Sequence, residues 1–256
     1  MTKNILMGDD ALNALDTGTG EKVNNEFTYL KSGSSFVVKV PGLAVISAYV
    51  YGNFENPKIY SFVAENESKK TDKGFPIDNL TPFDKAYIHY KDQSNDWQDE
   101  MSAKANVYRP EQKFTFGFYD LDEGKPIMVE FTRNQALVIR DAIIKNQRYL
   151  DKLAFTLSKQ GRARDTTVSL SVIPMLDELT EKQRKNFEEL PEDFDESNFE
   201  NLYYVADEEE QIDRLIKAGF DISLIGLEPP KKEGDQRQGP GSGPDGEILD
   251  DDDLPF

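Results

Sequence analysis

The chain has 256 residues, of which 38% are hydrophobic, so it is long enough to bury a core in one large domain or two small ones. Cysteine is absent and histidine occurs once, at His89, which excludes disulfides, thiolate zinc sites and clusters of imidazole ligands. No stretch approaches the ~20 apolar residues of a membrane span, and no signal peptide is recognisable. We therefore expect a cytoplasmic protein without membrane contact, metal or cofactor.

The net charge of −18 is concentrated in two segments. Residues 177–213 contain 15 acidic and 3 basic side chains, and residues 228–256 contain 9 and 3. Residues 1–176 are close to neutral, with 23 acidic and 22 basic side chains. A strongly acidic protein is not expected to bind the phosphates of a nucleic acid. Because the acidic residues are concentrated beyond residue 176, however, a basic groove is possible within the first 176 residues.

The N-terminal part of the chain predicts a flexible arm followed by strands. Residues 1–26 are polar and contain three glycines around a short apolar run. After Phe27, runs rich in Val, Phe and Tyr predict strands over residues 35–40, 44–51 and 58–64. Pro82 then opens a segment, residues 82–104, that we expect to be a helical insertion. Its apolar residues suit one helical face: Phe83, Tyr87, Tyr90, Trp97 and Met101.

Two hairpins follow the insertion. In KFTFGFYDLDEGKPIMVEFT, Phe114, Phe116 and Phe118 alternate toward a predicted core, and Asp122-Glu123-Gly124 forms the turn. Thr132 can cap a helix from residue 133 to about residue 148. The segments LAFTLSK and TTVSLSVI then predict a second hairpin around the loop GRARD.

Beyond Pro174 the strand signals stop. Thr180 and Gln183 form a capping box for a short helix, and residues 207–218 predict another that Gly219 ends. The last 29 residues include 10 Gly or Pro and predict a disordered tail. We expect a mainly β protein with added helices (α+β): an OB-fold-like barrel over residues 27–175, an acidic helical appendage over residues 176–227 and the tail over residues 228–256.

Enzymatic function is not predicted. His89 lies between tyrosines, without a recognisable nucleophile, and the chain lacks the glycine motifs that cradle phosphates. The run of aspartates at residues 250–253 lacks the spacing of a calcium loop.

Single-stranded nucleic acid is a better-supported ligand. Binding requires cations that follow the phosphates and rings on which nucleobases stack, often on a small Greek-key barrel. Residues 27–155 hold 21 of the 28 aromatic residues, and residues 145–164 contain six basic side chains and one acid. For each candidate, a place in the core or on a solvated strand face is the alternative. The candidates are Tyr29, Lys31, Lys39, Tyr49, Tyr51, Lys58, Tyr60, Tyr108, Arg109, Lys113, Tyr119, Arg162 and Arg164.

The last seven residues, DDDDLPF, resemble the acidic tip of bacterial single-stranded-DNA-binding proteins (SSBs). In that family an OB fold holds DNA, and the tip binds replication, recombination and repair enzymes. The resemblance implies that an apolar pocket receives the Phe256 ring, while the carboxylates steer the tip toward basic surfaces. The partner-binding residues would be Asp250, Asp251, Asp252, Asp253, Leu254, Pro255 and Phe256.

Most of the chain is similar to SSBs encoded by phages of Gram-positive bacteria. The similarity is carried by FTYLKSGSSFVVKVPGL, by KFTFGFYDLDEGKPIMVEFT and by the acidic region through YYVADEEE. It implies a phage protein of the bacterial host cytoplasm that coats single-stranded DNA during replication and recombination.

Two other functions stay open. An acidic interaction protein or DNA mimic would use carboxylates at phosphate-like spacing, which residues 177–213 supply. A strand-annealing recombination mediator would use the same groove but act as an oligomeric ring, and the sequence does not reveal the oligomeric state.

Overall fold

A computed structural model describes residues 27–52, 61–162 and 165–230. The strands in this part are β1 (Ser35–Lys39), β2 (Val45–Gly52), β3 (Ser61–Ala64), β4 (Lys69–Lys70), β5 (Pro76–Asp78), β6 (Glu111–Asp120), β7 (Lys125–Thr132), β8 (Ala154–Gln160), β9 (Thr167–Ile173) and β10 (Val205–Ala206). The helices are α1 (Pro82–Gln93), α2 (Glu100–Tyr108), α3 (Arg133–Asn146), α4 (Glu181–Glu189) and α5 (Glu208–Lys217). No helix in the described ranges is long and apolar enough to cross a membrane.

The fold is mixed α+β around one large sheet. Its strands follow the order β10-β3-β2-β6-β1-β8-β9, and β7 pairs with β6 outside this path. β2 pairs with the first half of β6 and β1 with its end, so both lie along one edge of β6 while β7 occupies the other. The Pro41-Gly42 turn, with Gly42 at φ +93°, lets the chain pass from β1 to β2. The described strands do not form a closed barrel, because β9 and β10, at the two ends of the path, do not pair with each other. The expected OB-fold-like barrel is therefore not confirmed.

The two predicted hairpins and the helix between them are confirmed. β6 and β7 pair from Lys113↔Thr132 to Asp120↔Lys125, and β8 pairs with β9 along its length. Phe116 and Phe118 are buried as predicted, whereas Phe114 is half-buried at the edge of the same cluster. Thr132 caps α3 in a capping box with Gln135.

The predicted helical insertion consists of two helices rather than one. The Asp99 carboxylate accepts hydrogen bonds from the backbone N–H groups of Ser102 (2.6 Å) and Asn95 (2.8 Å), which caps α2 and fixes the turn before it. Trp97 lies in this turn and is 71% exposed, so its predicted place on the apolar helix face is wrong.

The acidic segment is packed into the body of the protein instead of being appended to it. We call residues 176–206 the acidic layer, because their carboxylates are mostly exposed while Phe187, Phe194 and Leu202 are buried against the sheet. The capping box of Thr180 and Gln183 forms as predicted. β10, which ends the layer, pairs in parallel with β3, although the sequence predicts no strand beyond Pro174.

The acidic layer contacts the sheet face formed by the odd-numbered residues of β6. The Tyr203 hydroxyl lies 2.8 Å from Thr115 Oγ1 and donates a hydrogen bond to Glu130 Oε2 at 3.3 Å. Burial raises the pKa of the Glu130 carboxyl. The Tyr119 hydroxyl donates to the carbonyl of Asp193. Side chains of the sheet thus hold the layer through polar contacts as well as apolar ones.

The Phe194 ring of the layer packs directly against the strand backbone at Gly117. A Cβ atom at this position would lie 2.5 Å from the ring of Phe194, well inside van der Waals contact. Glycine is therefore needed here for space, since Gly117 is not among the residues with positive φ.

We predict that Gly117→Ala lowers the free energy of unfolding by about 1–3 kcal/mol, because the added methyl group displaces the Phe194 ring. An alanine in a strand would otherwise be neutral or stabilising. Urea unfolding of Gly117→Ala, Phe194→Leu and the double variant measures the effect. The double variant should be less destabilised than the two single effects combined, and additive losses would contradict this packing.

Candidate nucleic-acid interface

A groove of about 570 Å³ lies between the face of β2 and β6 and the start of α3. It is lined by rings, by two guanidinium groups and by apolar side chains. Tyr49, Phe114 and Phe116 supply the rings, Arg133 and Arg140 supply the positive charges, and Asp72 supplies a carboxylate. The other lining residues are Leu43, Val45, Thr71, Asp72, Gln112, Ala136 and Leu137.

A second cavity, of about 240 Å³, continues the groove past Tyr49 toward the N-terminal end of β6. The two cavities share Tyr49, Gln112 and Arg133. The second adds three cationic side chains and one carboxylate, which are those of Lys73, Arg109, Lys113 and Glu111. The two cavities are thus adjacent, and we call them together the β2–β6 groove.

The ring of Tyr49 packs against the β4–β5 hairpin. Its ring centroid lies 4.6 Å from Lys70 Nζ, and a Cβ atom on Gly74 would lie 3.2 Å from the ring. The Lys70 ammonium group also donates to Ser68 Oγ at 2.9 Å, and burial lowers its pKa. Because the ring lines both cavities, it offers them a flat, fixed surface. Such a surface is what a stacked nucleobase requires.

The cations of the groove come from different elements. Arg133 begins α3, and Arg140 lies two turns further on, so both fall on the same side of the helix. Arg109 follows α2 and is exposed, whereas Lys113 forms an ion pair with Glu111 at 2.8 Å. Arg140 forms an exposed ion pair with Asp141 at 2.6 Å. Exposed ion pairs are weak, so a polyanion can compete for these side chains.

Three sequence candidates form a second cluster at the turn between β8 and β9. Tyr29 is 73% exposed, and Lys159 Nζ lies 5.7 Å from its ring centroid. Two hydrogen bonds hold the segment after Tyr29 against this turn: the Gly33 N–H donates to the Lys159 carbonyl, and Ser32 Oγ donates to the Gly161 carbonyl. Lys31 and Arg162 therefore lie near each other, and both are exposed.

Four sequence candidates lie in the interior, where they have no surface for nucleic acid. Tyr51 and Tyr108 are core residues between β2 and the helices α1 and α2, and the Tyr51 hydroxyl donates to Asp84 Oδ1 at 2.9 Å. Burial raises the pKa of Tyr51 and of Tyr119, which lies under the acidic layer.

Lys39 is the fourth of these. It is only 5% exposed, and its Nζ donates to the carbonyls of Phe187 (2.9 Å) and Leu190 (2.7 Å). These are carbonyls at the C-terminal end of α4, where a cation also complements the helix dipole. Burial lowers the pKa of Lys39. Its contacts are therefore structural, and the predicted phosphate contact does not fit this environment.

Of the sequence candidates, Tyr49, Arg109 and Lys113 line the groove. Sequence reasoning missed the other cations of its lining, which are Lys73, Arg133 and Arg140, and it missed Lys70, which contacts the Tyr49 ring. For Arg133 and Arg140, the seven-residue spacing on a predicted helix was an available signal. Lys58, Tyr60, Arg164 and the tip at residues 250–256 lie outside the described residues.

A scan of the chain against protein-family models finds no match, and neither does a search of the curated proteins.

We predict that Lys39→Met destabilises the protein by about 1–3 kcal/mol, because two buried carbonyls lose their donor. Lys125→Met, at an exposed lysine of β7, is the control and should change stability by less than about 0.5 kcal/mol. Urea unfolding compares the two variants. Equal stabilities would show that the ammonium contacts do not hold α4.

Proposed function

We propose that the protein binds single-stranded DNA without sequence preference and acts by coating the strand rather than by catalysis. The observation that supports this proposal is the β2–β6 groove, in which the ring of Tyr49 lies among cationic side chains from several parts of the fold. Cations that follow the phosphates and a ring that accepts an unpaired base are the two requirements of such binding. In duplex DNA the bases are stacked within the helix, so the Tyr49 ring would favour single strands.

The resemblance to phage SSBs supports the same function and extends it to phage replication and recombination. On this view the sheet is a variant of the OB barrel. The feature that supports this view is that β6 pairs with both β1 and β2 along one edge, so that one long strand joins two parts of the sheet.

A DNA mimic is the second candidate, because the acidic layer exposes many carboxylates on one folded surface. Those of Glu192, Asp193, Asp195, Glu196 and Glu200 are examples. A mimic would bind DNA-binding proteins and would not bind DNA itself, so direct titration separates the two functions.

We predict that Tyr49→Ala weakens binding to poly(dT) by about tenfold to a hundredfold, which corresponds to the loss of one stacking contact. Trp97→Ala is the matched control, since Trp97 is exposed but does not line the groove. Fluorescence anisotropy of a labelled oligonucleotide measures both. If the full-length protein does not bind poly(dT) at low salt, single-strand coating is wrong and the mimic is favoured.

We also predict that Arg133→Ala reduces the slope of log K against log salt concentration by about 0.7, the value for one phosphate contact on a single strand. Lys185→Ala, at an exposed position of α4, changes the net charge equally and should leave the slope unchanged. Equal slopes for Arg133→Ala and the wild type would remove Arg133 from the DNA path.

The segment Asp250–Phe256 is proposed to bind replication or recombination enzymes. We predict that Phe256→Ala abolishes capture of such partners by immobilised protein, because the ring is the apolar anchor. Binding to poly(dT) should be retained, which serves as the internal control for folding. Unchanged capture of host polymerase or helicase components would contradict a role for the tip.

A further inference from the structure

The ring of Tyr49 has a cation over one of its faces that does not belong to the groove. Lys70 Nζ lies 4.6 Å from the ring centroid. Among the described residues, Tyr49 lines both cavities of the β2–β6 groove, whereas Lys70 lines neither. The ammonium group and the groove therefore meet different parts of the ring. A nucleobase in the groove would stack on the ring without touching Lys70.

The Lys70 ammonium group is anchored on the buried side of the β4–β5 hairpin. Its Nζ donates to Ser68 Oγ at 2.9 Å and to the Ser68 carbonyl at 3.3 Å, and Ser68 is buried. Burial lowers the pKa of Lys70, while the negative charges of Asp84 and Glu67 oppose this shift. Asp84 is itself a core residue, which accepts a hydrogen bond from the Tyr51 hydroxyl. The cation is thus partly desolvated, and desolvation strengthens its attraction to a ring face.

The turn of the same hairpin contacts the Tyr49 ring at its edge. A Cβ atom on Gly74 would lie 3.2 Å from Cε1 and 3.3 Å from the hydroxyl oxygen of the ring. The Gly74 N–H donates to the Thr71 carbonyl at 2.7 Å, and the Thr71 N–H donates to the Phe75 carbonyl at 2.8 Å, which closes the turn. Only the contact at Lys70 is made by a side chain. A substitution can therefore remove it and leave the hairpin backbone in place.

We propose that Lys70 is a positioning residue of the β2–β6 groove, an inference that rests on the proposed function: its ammonium group orients the Tyr49 ring for stacking and does not contact DNA. A ring that is already oriented loses less conformational freedom when the strand binds. Without the cation the ring would adopt other orientations as well. The apparent affinity would then fall in proportion to the fraction of molecules in which the ring is correctly oriented.

Lys70→Met keeps most of the side-chain length and removes the charge. We expect it to weaken binding of the full-length protein to poly(dT) about threefold to tenfold, and by less than Tyr49→Ala does, because the ring itself remains. The slope of log K against log salt concentration should stay unchanged, since no phosphate contact is lost. Lys70→Arg should bind like the wild type, because a guanidinium group also binds a ring face.

Two neighbouring lysines are the controls, since methionine at either position changes the net charge equally. Lys69 is exposed, forms an ion pair with Asp78 at 2.8 Å and lines neither cavity. Lys69→Met should therefore leave affinity and slope unchanged. Lys73 is exposed and lines the second cavity, so Lys73→Met should reduce the slope by about 0.7, the value for one phosphate contact. Fluorescence anisotropy of a labelled oligo(dT) over a range of salt concentrations measures every variant, and thermal unfolding checks that each is folded.

A double-mutant cycle with Tyr49→Ala separates positioning of the ring from a general effect on the fold. If Lys70 acts through the ring, Lys70→Met causes no further loss of affinity once the ring is absent. NMR of the full chain tests the contact without DNA. The side-chain protons of Lys70 next to Nζ should be shifted upfield by the ring in the wild type, and this shift should disappear in Tyr49→Ala.

Three results would overturn the positioning role. Wild-type affinity of Lys70→Met would show that the cation does not matter for binding. A slope reduced by about 0.7 would make Lys70 a phosphate contact. An equal loss of affinity with and without the Tyr49 ring would make its contribution structural. In all three cases the wild type still binds poly(dT), and the proposed function stands. If the wild type does not bind poly(dT), the proposed function fails and the positioning role is rejected with it.

Discussion

The second half of strand β6, from Thr115 to Asp120, is buried on both faces, and the arrangement of the other elements depends on how its alternating side chains are covered. Phe116 and Phe118 point into the cluster that includes α3, whereas Gly117 and Tyr119 point toward the acidic layer. Gly117 lets the Phe194 ring approach the strand backbone. A strand flanked by β1, β2 and β7 can be covered only from its two faces, so α3 and the acidic layer are placed on opposite sides.

This arrangement separates charges of opposite sign. The acidic layer carries most of its carboxylates on its outer side, and the β2–β6 groove lies on the α3 side, where Arg133 and Arg140 line it. Lys39 of β1 reaches the layer, where its ammonium group donates to the carbonyls at the end of α4. The large net negative charge is therefore a property of the whole molecule, whereas the lining of the groove includes the positive charges of Arg133 and Arg140.

Local signals predicted the elements well. Hairpins and capping boxes depend on neighbouring residues, so the pairs Thr132–Gln135 and Thr180–Gln183 are recognisable in the sequence. The parallel pairing of β10 and the burial of Lys39 depend on contacts between distant segments, which no local pattern encodes.

The tyrosine candidates illustrate the same limit within the site. Tyr49 and Tyr51 are two residues apart on β2 and have similar neighbours in sequence, yet one lines the groove and the other is buried beside Asp84. Side chains at i and i+2 share a face, so parity could not distinguish them. The difference arises because α1 covers the end of β2 at Tyr51, whereas the short β4–β5 hairpin leaves Tyr49 half-buried.

Distance and screening reconcile an acidic protein with an anionic ligand. The Debye length is about 8–10 Å at physiological ionic strength, and packed layers of secondary structure are about 10 Å apart. Carboxylates on the far side of the sheet are therefore separated from the groove by about one Debye length or more. At the groove, five cationic side chains line the surface against the two carboxylates of Asp72 and Glu111, so the local excess of charge is positive. Lowering the salt concentration lengthens the distance over which both the cations and the carboxylates act. The acidic layer would therefore oppose DNA binding most strongly at low ionic strength. The slope of log K against log salt concentration would then be smaller than the groove alone would give.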